Sequence, residues 1–304
     1  MIVTCSPHIR HHDTTKSIMR DVLIALLPAL MVSVVVFGIR ALLLVAVCVF
    51  FAVGAEYVFE KGCRRPITIG DYSAAVTGVL LAYNLPVGLP LWMAAFGSIV
   101  AVIVVKQLFG GIGQNFANPA ITARIVLLIS FTGPMTDWVT GYPDAVAGAT
   151  PLTLMATGQT DKLPSIAKMA LGEIGGCIGE VSAVALLLGF VYLLYRKVIT
   201  WHITVSFIAT VAVLTALLGQ SPVYHMLAGG LMLGAIFMAT DYSTSPPTPK
   251  GRIIFGVGCG LLTVLIRVFG SYPEGVSFAI LLMNIMAPHI SNLTRNKALG
   301  GAAK

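Results

Sequence analysis

Long uncharged runs dominate this sequence and limit what it can fold into. No Asp, Glu, Lys or Arg occurs between Asp71 and Lys106, and residues 22–39 are uncharged as well. Of the 304 residues, 57% are hydrophobic and 10% are charged, whereas a soluble domain carries about 25% charge. So few charged groups cannot cover a water-exposed surface, and the chain is therefore predicted to be an integral membrane protein.

The apolar runs are long enough for about ten spanning helices, because one crossing needs about 20 mostly apolar residues. Breaks rich in proline and glycine divide the runs, and the break at 84–90 leaves the third helix short. The predicted helices cover residues 22–39, 41–55, 72–85, 90–108, 119–132, 172–195, two helices within 198–240 separated at 219–222, 253–269 and 275–291. The predicted fold class is an all-α integral membrane protein with about ten transmembrane helices.

The basic residues predict the orientation of these helices, because Lys and Arg collect on the cytoplasmic side of membrane proteins. With the N-terminus inside, 15 of the 19 basic residues fall on the cytoplasmic side. The four on the outer side are Arg40, Lys162, Lys168 and Arg267. Both termini are therefore predicted to be cytoplasmic, and the loop 133–170, which follows five crossings, is predicted to be extracytoplasmic.

The two halves of the chain show a faint similarity at an offset of close to 160 residues. Phe109-Gly110 and Phe269-Gly270 each precede a polar stretch and another helix, and the third and eighth predicted helices are both interrupted. Five helices per half insert the second copy upside down, an arrangement that many transporters use to build a central site. The prediction is one membrane domain over 1–304, with repeats at 21–132 and 171–292 on either side of loop 133–170.

A turn of small residues lies in this loop, with the sequence Asp-Ala-Val-Ala-Gly-Ala-Thr at 144–150. Gly148 permits backbone angles that other residues avoid, and Pro151 prevents a helix from running back through the turn. The turn is predicted to present the hydroxyl of Thr150 with little around it. An ordinary surface turn is the alternative, because these residue types are common in loops.

Ionisable residues within or near the apolar runs need a reason, because burying a charge in a membrane is costly. Most are expected to be anchors at the membrane interface. Asp71 and Asp241 are predicted to serve a cation path, since they flank the two interrupted helices on the cytoplasmic side. The complete set comprises Glu56, Asp71, Arg124, Glu173, Glu180, Asp241 and Arg267.

Other chemistries find little support in the sequence. The five cysteines are scattered and the histidines within the apolar runs occur singly, so no metal site is predicted. No Ser-His-Asp arrangement suggests a catalytic residue, and the net charge of +7 reflects membrane orientation rather than nucleic-acid binding. The glycine-rich segment 110–119 lacks a nucleotide-loop pattern; Asn115 or Asn118 is predicted to cap a helix that has Pro119 in its first turn.

Several stretches together resemble one protein family. Residues 144–150 resemble the motif at which a flavin transferase attaches FMN to threonine through a phosphoester bond. Further similar stretches are Asn84-Leu85-Pro86, Gly110 to Pro119, Thr240-Asp241 with the proline loop to Gly251, and Tyr272 to Gly275. In this order they resemble the NqrB/RnfD family of membrane subunits in redox-driven ion pumps. The short N-terminal segment and the Pro-Pro-Thr-Pro-Lys-Gly loop resemble the RnfD branch, which belongs to the ferredoxin:NAD⁺ oxidoreductase (Rnf) complex.

The resemblance implies a flavin-carrying subunit of a translocating oxidoreductase that is inactive alone. FMN would be attached to Thr150, with Asp144, Gly148 and Ala149 forming the rest of the motif, and a riboflavin would bind without a covalent bond. Electrons would pass between ferredoxin and NAD while Na⁺ or H⁺ crosses the membrane. The implied partners are other Rnf subunits, among them a second covalent-FMN subunit and iron–sulfur subunits, together with the flavin transferase. The implied location is the cytoplasmic or inner membrane of a bacterium or archaeon.

Three alternatives stay open from the sequence. The chain resembles NqrB of the sodium-pumping NADH:quinone oxidoreductase as well as RnfD. An inverted five-helix repeat is also similar to that of urea transporters, so the fold alone permits a small-solute channel. Finally, the chain could be a scaffold for partner subunits in which Thr150 is unmodified.

Overall fold

The computed structural model describes residues 13–140, 146–147, 150–159, 161, 163–172, 175–180, 182–270 and 275–295. Nearly all regular structure in these ranges is helical. The helices are α1 (Thr15–Phe37), α2 (Ile39–Gly62), α3 (Ser73–Tyr83), α4 (Leu91–Ile99), α5 (Pro119–Ser130), α6 (Thr132–Thr136), α7 (Pro151–Ala156), α8 (Ile166–Leu171), α9 (Ala183–Tyr195), α10 (Trp201–Leu217), α11 (Pro222–Leu227), α12 (Leu231–Leu233), α13 (Pro249–Phe269) and α14 (Val276–Leu293). The only strands within the described residues are β1 (Val139–Thr140) and β2 (Val146–Ala147), which pair antiparallel.

Four of the described helices, α1, α2, α13 and α14, are long and apolar enough to cross a membrane. Shorter apolar helices occur at α3, α5, α9 and α10, and α4 is extended to Gln107 by a π-helical segment. Together with the α11–α12 pair, these helices lie on every segment for which the sequence predicts a helix. The prediction of an all-helical chain with membrane-protein character is thus confirmed.

Two helices are longer than the sequence predicted. Helix α1 begins at Thr15 because Thr14 and Ser17 form a reciprocal capping box, which satisfies free backbone N–H groups at the helix start. Helix α2 runs to Gly62 rather than to residue 55. Glu56, which the sequence places just beyond the second predicted helix, therefore lies inside α2. Both Glu56 and Glu60 are buried.

The prediction of a helix over 172–195 was also wrong at its start. Helix α9 begins at Ala183, where the side chain of Ser182 accepts a hydrogen bond from the backbone of Ala185. The preceding residues are rich in glycine, which disfavours helix. Part of this segment turns back against the end of α3, where the Ile178 backbone N–H donates to the Leu85 carbonyl at 3.1 Å.

The eighth predicted helix is broken. Helix α11 ends at Leu227 and α12 begins at Leu231, because Gly229 and Gly230 adopt left-handed backbone angles with φ of 64° and 66°. After Leu233 the chain continues as a π-helical segment, Gly234–Met238. A second π-helical segment, Val100–Gln107, continues α4. Such wide turns are frequent at functional sites.

The helices pack around one main apolar core. Helix α2 packs on α3 and α4, and α10 packs on α13, which in turn packs on α14. Contacts between α1 and α9 and between α5 and α14 join the two halves of the chain. Fully buried apolar side chains fill the spaces between these helices, among them Leu26, Leu44, Leu81, Phe207 and Phe255. Large apolar side chains are also exposed along the outer faces, as expected where lipid surrounds a helix.

The described residues of the segment 133–170 include short helices and a strand pair. The segment contains most of α6, the β1–β2 pair, α7 and α8. Leu152 of α7, Met169 of α8 and Ala228 after α11 form a small buried cluster. This cluster fixes α7 against the broken helix α11–α12, at the end of the molecule where α5 ends and α9 begins.

Candidate functional site

Thr150 immediately precedes α7 and caps it. Its Oγ1 accepts a hydrogen bond from the backbone N–H of Thr153 at 3.2 Å and lies 2.8 Å from Thr153 Oγ1. Pro151 occupies the first helical position, where its missing N–H has no consequence for the helix. The Thr-Pro pair therefore begins helix α7.

The hydroxyl of Thr150 is not open. Thr150 is only 5% exposed, and the neighbouring Leu152 is buried in the cluster between α7, α8 and α11. The prediction of a hydroxyl with little around it was therefore wrong. The local sequence did not indicate this burial, because the packing of α7 determines how deeply Thr150 lies.

The other residues of the motif can be placed only in part. Val146 and Ala147 pair with Thr140 and Val139, respectively, and so form the end of a short hairpin. Asp144, Gly148 and Ala149 lie outside the described residues. Their predicted role in holding a flavin stays a prediction.

Helix α7 sits directly on the break between α11 and α12. A Cβ atom on Gly229 would lie 2.2 Å from Leu152 Cδ1, so only glycine fits this contact. The guanidinium of Arg267 donates to the carbonyls of His225 and Ala228, at 2.6 and 2.8 Å. These bonds satisfy backbone carbonyls that the end of α11 leaves free.

A cavity of about 100 Å³ lies at the opposite end of the helices. Its walls come from the start of α1, α3 and α5, the end of the π-helical segment of α4, the end of α9, and the residues that follow α12. The polar side chains that line it are those of Ser73, Thr77, Lys106, Asn115, Asn118, Thr240, Asp241, Tyr242 and Ser243. One of these is cationic and one is anionic, so the cavity can contact polar ligands of either charge.

The two aspartates predicted for an ion path lie in similar turns. Each stands two residues before a serine: Asp71 Oδ1 accepts from the Ser73 N–H at 2.8 Å and the Ser73 hydroxyl at 2.6 Å. Asp241 accepts from the Ser243 N–H at 3.2 Å and the Ser243 hydroxyl at 2.9 Å. Ser73, Asp241 and Ser243 all line the cavity.

The electrostatics of this loop reflect both carboxylates. Burial, together with the negative charges of Asp241 and Asp71, raises the pKa of Tyr242 to about 12. Burial also raises the pKa of Asp241 itself, against the opposing effect of its hydrogen bonds from Ser243 and Thr244. The structure thus brings the two predicted aspartates to the same end of the molecule.

A buried polar network joins this cavity to α2. Lys106 Nζ lies 2.6 Å from Glu56 Oε1 and 2.6 Å from Ser73 Oγ. Gln107 Nε2 donates to Glu56 Oε1 at 2.7 Å and to Glu60 Oε1 at 3.3 Å. Sequence reasoning missed this network because it expected Glu56 at the interface. The only sequence feature that indicated this network was the position of Glu56 and Lys106 at the ends of consecutive apolar runs.

Two buried arginines are also held by polar partners. Arg124 donates to Ser277 Oγ at 2.6 Å and to Asn84 Oδ1 at 3.5 Å, and Arg267 binds the carbonyls near α11. The prediction of interfacial anchors was wrong for Arg124, Arg267 and Glu56, which are buried. Glu173 lies outside the described residues.

The prediction of a cap before α5 is confirmed for Asn118. Its Oδ1 accepts from the Ala120 and Ile121 N–H groups, and Pro119 is the first helical residue. Asn284 Oδ1 accepts from the Asn118 N–H at 3.1 Å, which ties α14 to the start of α5. In the described part of the chain, no group of three or more His, Cys, Asp or Glu side chains could hold a metal ion.

Comparisons with known proteins agree on one family. The model of the NQR2, RnfD, RnfE family matches residues 2–300. The D subunit of the Na(+)-translocating ferredoxin:NAD(+) oxidoreductase complex of Acetobacterium woodii is 51% identical over 305 residues, which cover 99% of this chain and 95% of the relative.

Two further relatives extend this likeness. The D subunit of the proton-translocating ferredoxin:NAD(+) oxidoreductase complex of Clostridium ljungdahlii is 43% identical, with 98% of this chain and 96% of the relative covered. The D subunit of the ion-translocating oxidoreductase complex of Ectopseudomonas mendocina is 36% identical, with 97% and 94% covered. The resemblance read from the sequence motifs is confirmed: the chain belongs to the NQR2, RnfD, RnfE family.

Proposed function

We propose that this chain is the flavin-carrying membrane subunit of a redox-driven ion pump. It passes electrons between ferredoxin and NAD through FMN attached to Thr150, and the complex couples this transfer to movement of Na⁺ or H⁺. The names of the relatives support the class of complex. The observation that carries the flavin assignment is the resemblance of residues 144–150 to the attachment motif, with its threonine, Thr150, at the start of α7.

The proposed architecture is ten transmembrane helices in two inverted repeats, with both termini cytoplasmic. The packing pairs support it, because α2 packs on α4 as α10 packs on α13, and α4 packs on α5 as α13 packs on α14. In this topology the cavity with Asp241 opens at the cytoplasmic side and Thr150 lies at the outer side. The proposed topology thus separates the two candidate sites across the membrane.

The residues at Thr150 fit a phosphoester. The ester oxygen would replace the hydroxyl, and the Thr153 N–H and hydroxyl already lie within hydrogen-bond distance of that atom. Because Thr150 is buried, the flavin transferase needs the chain around it to move before it reaches the hydroxyl.

The flavin supplies one- and two-electron chemistry, while the protein supplies its position and surroundings. Helix α7 holds the attachment point against α11 and α8. A riboflavin without a covalent bond is part of the same proposal, as are the other Rnf subunits as electron donors and acceptors, including a second covalent-FMN subunit and iron–sulfur subunits. On the cytoplasmic side, Asp71 and Asp241 would attract the coupling cation to the cavity.

The test is flavin fluorescence of the denatured polypeptide on a gel, with the flavin transferase co-expressed. Thr150→Asn is the sharpest variant, because asparagine keeps the capping ability and removes the hydroxyl. Thr157→Ala is the matched control, since it removes another threonine hydroxyl on the same short segment. We expect a fluorescent band for the wild type and for Thr157→Ala, and none for Thr150→Asn.

Other outcomes would reject parts of the proposal. Fluorescence in Thr150→Asn would place the flavin at another residue. A dark wild-type band in a host with active transferase would favour the channel or scaffold alternatives. Thr150→Ser should restore fluorescence if attachment needs only a hydroxyl at this position.

A further inference from the structure

The buried pair between Glu56 and Lys106 has no role in the electron path and needs an explanation. Their side chains are 0% and 4% exposed, and they lie between α2 and the π-helical segment that continues α4. An ionisable pair inside a membrane protein is costly, and a well-packed apolar pair of the same volume is often as stable. Its presence therefore points to a function.

One oxygen of Glu56 is left without a partner. Oε1 accepts from both Lys106 and Gln107, whereas Oε2 is buried and has no hydrogen-bond partner among the described residues. Leaving a carboxylate oxygen unpaired in an apolar environment costs more than leaving a neutral carboxyl group there. Oε2 therefore has room for a proton, while Oε1 keeps its bonds from Lys106 and Gln107.

A chain of hydrogen bonds connects Glu56 to the edge of the cavity. Lys106 Nζ donates to Ser73 Oγ at 2.6 Å, and Ser73 Oγ donates to Asp71 Oδ1 at 2.6 Å. Asp71 lies in the turn before α3 and is partly exposed. Each link is within hydrogen-bond distance, so protons can pass from one group to the next.

We propose that Glu56 is a proton-binding site, loaded from the cytoplasmic side through Asp71, Ser73 and Lys106. A proton from water binds Asp71. Lys106 gives a proton to Glu56 Oε1 and becomes a neutral amine. The Ser73 hydroxyl then turns toward Lys106 and gives it a proton as it takes the one from Asp71. At each transfer one bond to hydrogen breaks and another forms. The net result is one proton bound at Glu56, with Lys106 again an ammonium ion and Asp71 again a carboxylate.

The charged groups around Glu56 have opposing effects on its binding of a proton. Glu60 on α2 and Asp71 before α3 favour proton binding, because each adds negative charge. Lys106 opposes it, as does Arg65, whose guanidinium donates to the Gln107 carbonyl at 3.0 Å. From α1, Lys16 lies over the ring of Tyr72 and opposes it from further away. A role for this proton in balancing the charge of a transferred electron rests on the proposed function. The binding of the proton to Glu56 does not.

The experiment is an infrared titration of the purified full-length chain, which follows the carbonyl band of protonated carboxyl groups as pH changes. We expect one band that is lost in Glu56→Gln and kept in Glu60→Gln. Glu60 is the matched control because it lies one turn away on α2, outside the proposed proton relay. Glu56→Asp should shift the band rather than remove it, which excludes misfolding as the cause of its loss. Ser73→Ala should slow the exchange of the Glu56 carboxyl proton for deuterium, which is followed as a shift of the band. Ser73→Thr keeps a hydroxyl and should restore the exchange rate.

Three results would overturn the proposal. A band that persists in Glu56→Gln would belong to another carboxyl group, and the absence of any such band would show that Glu56 stays ionised. Loss of the band when Na⁺ replaces choline at constant pH would show a cation site instead. None of these outcomes depends on flavin, so failure here is distinguishable from failure of the flavin assignment.

Discussion

Gly229 offers a direct test of how α7 is held. Its φ of +64° is left-handed, and a Cβ there would lie 2.2 Å from Leu152 Cδ1 and 2.9 Å from Arg267 Nη2. Gly229→Ala should therefore displace Leu152, and with it the helix that Thr150 caps. Gly219 is the matched control, because its φ is +72° but no atom lies within 4 Å of a Cβ at that position.

Gly229→Ala and Gly219→Ala share the cost of a left-handed backbone, but only Gly229→Ala adds the cost of overpacking. A left-handed alanine costs about 1–2 kcal/mol, and both variants carry this cost. Overpacking a filled site adds about 1–3 kcal/mol, which applies to Gly229→Ala alone. We therefore expect Gly229→Ala to lower the free energy of unfolding by about 1–3 kcal/mol more than Gly219→Ala.

Unfolding of the purified chain in detergent, followed with increasing denaturant, compares the two variants. Covalent flavin content after co-expression with the transferase reports the local effect at Thr150. In a background that already carries Leu152→Ala, Gly229→Ala should cost less than it does in the wild type, because the nearer of the two atoms that the Cβ would meet is gone. Equal stability and equal flavin content in the two glycine variants would refute the claim that close packing at Gly229 holds α7 in place.

Two further changes test the cavity and its network. At a pH at which Glu56 is ionised, Lys106→Met should lower the free energy of unfolding by about 3–5 kcal/mol, because it leaves that buried carboxylate unpaired. Adding Glu56→Gln should recover most of this loss, and a loss unchanged in the double variant would contradict the ion-pair explanation. Asp241→Asn should reduce ion uptake into membrane vesicles more than it reduces flavin content or electron transfer, and a parallel loss of all three would exclude Asp241 from the ion path.

The sequence predicted the fold class well because hydropathy and breaker residues act locally. Uncharged runs located every apolar helix of the described residues, and Asn118-Pro119 gave the start of α5 correctly, since a cap needs only adjacent residues. The break at Gly229-Gly230 was missed because glycine is frequent in membrane helices and carries no sign of its backbone angle. The start of α9 was predicted too early for the same reason, because a glycine-rich stretch lies inside that apolar run.

The sites were predictable only where the signal was a short motif. Asp71 and Asp241 were placed at helix ends, and the structure puts them there, at one end of the molecule. The burial of Thr150 and of Glu56 could not be read from neighbouring residues. Each depends on partners distant in sequence: Ala228 in the cluster beside Thr150, and Lys106 for Glu56. Such pairings arise from packing, which no local pattern encodes.

One element contacts both candidate sites. At the break between α11 and α12, Gly229 packs against Leu152 beside Thr150. Beyond α12, the π-helical segment contributes Phe237 to the cavity, just before Asp241. Coupling between a redox site and an ion site requires an element with two arrangements that both sites bias. The segment from α11 to the π-helical turn, broken by two left-handed glycines, is our candidate for this element. Under the proposed function, Gly229→Ala should therefore weaken coupling as well as stability.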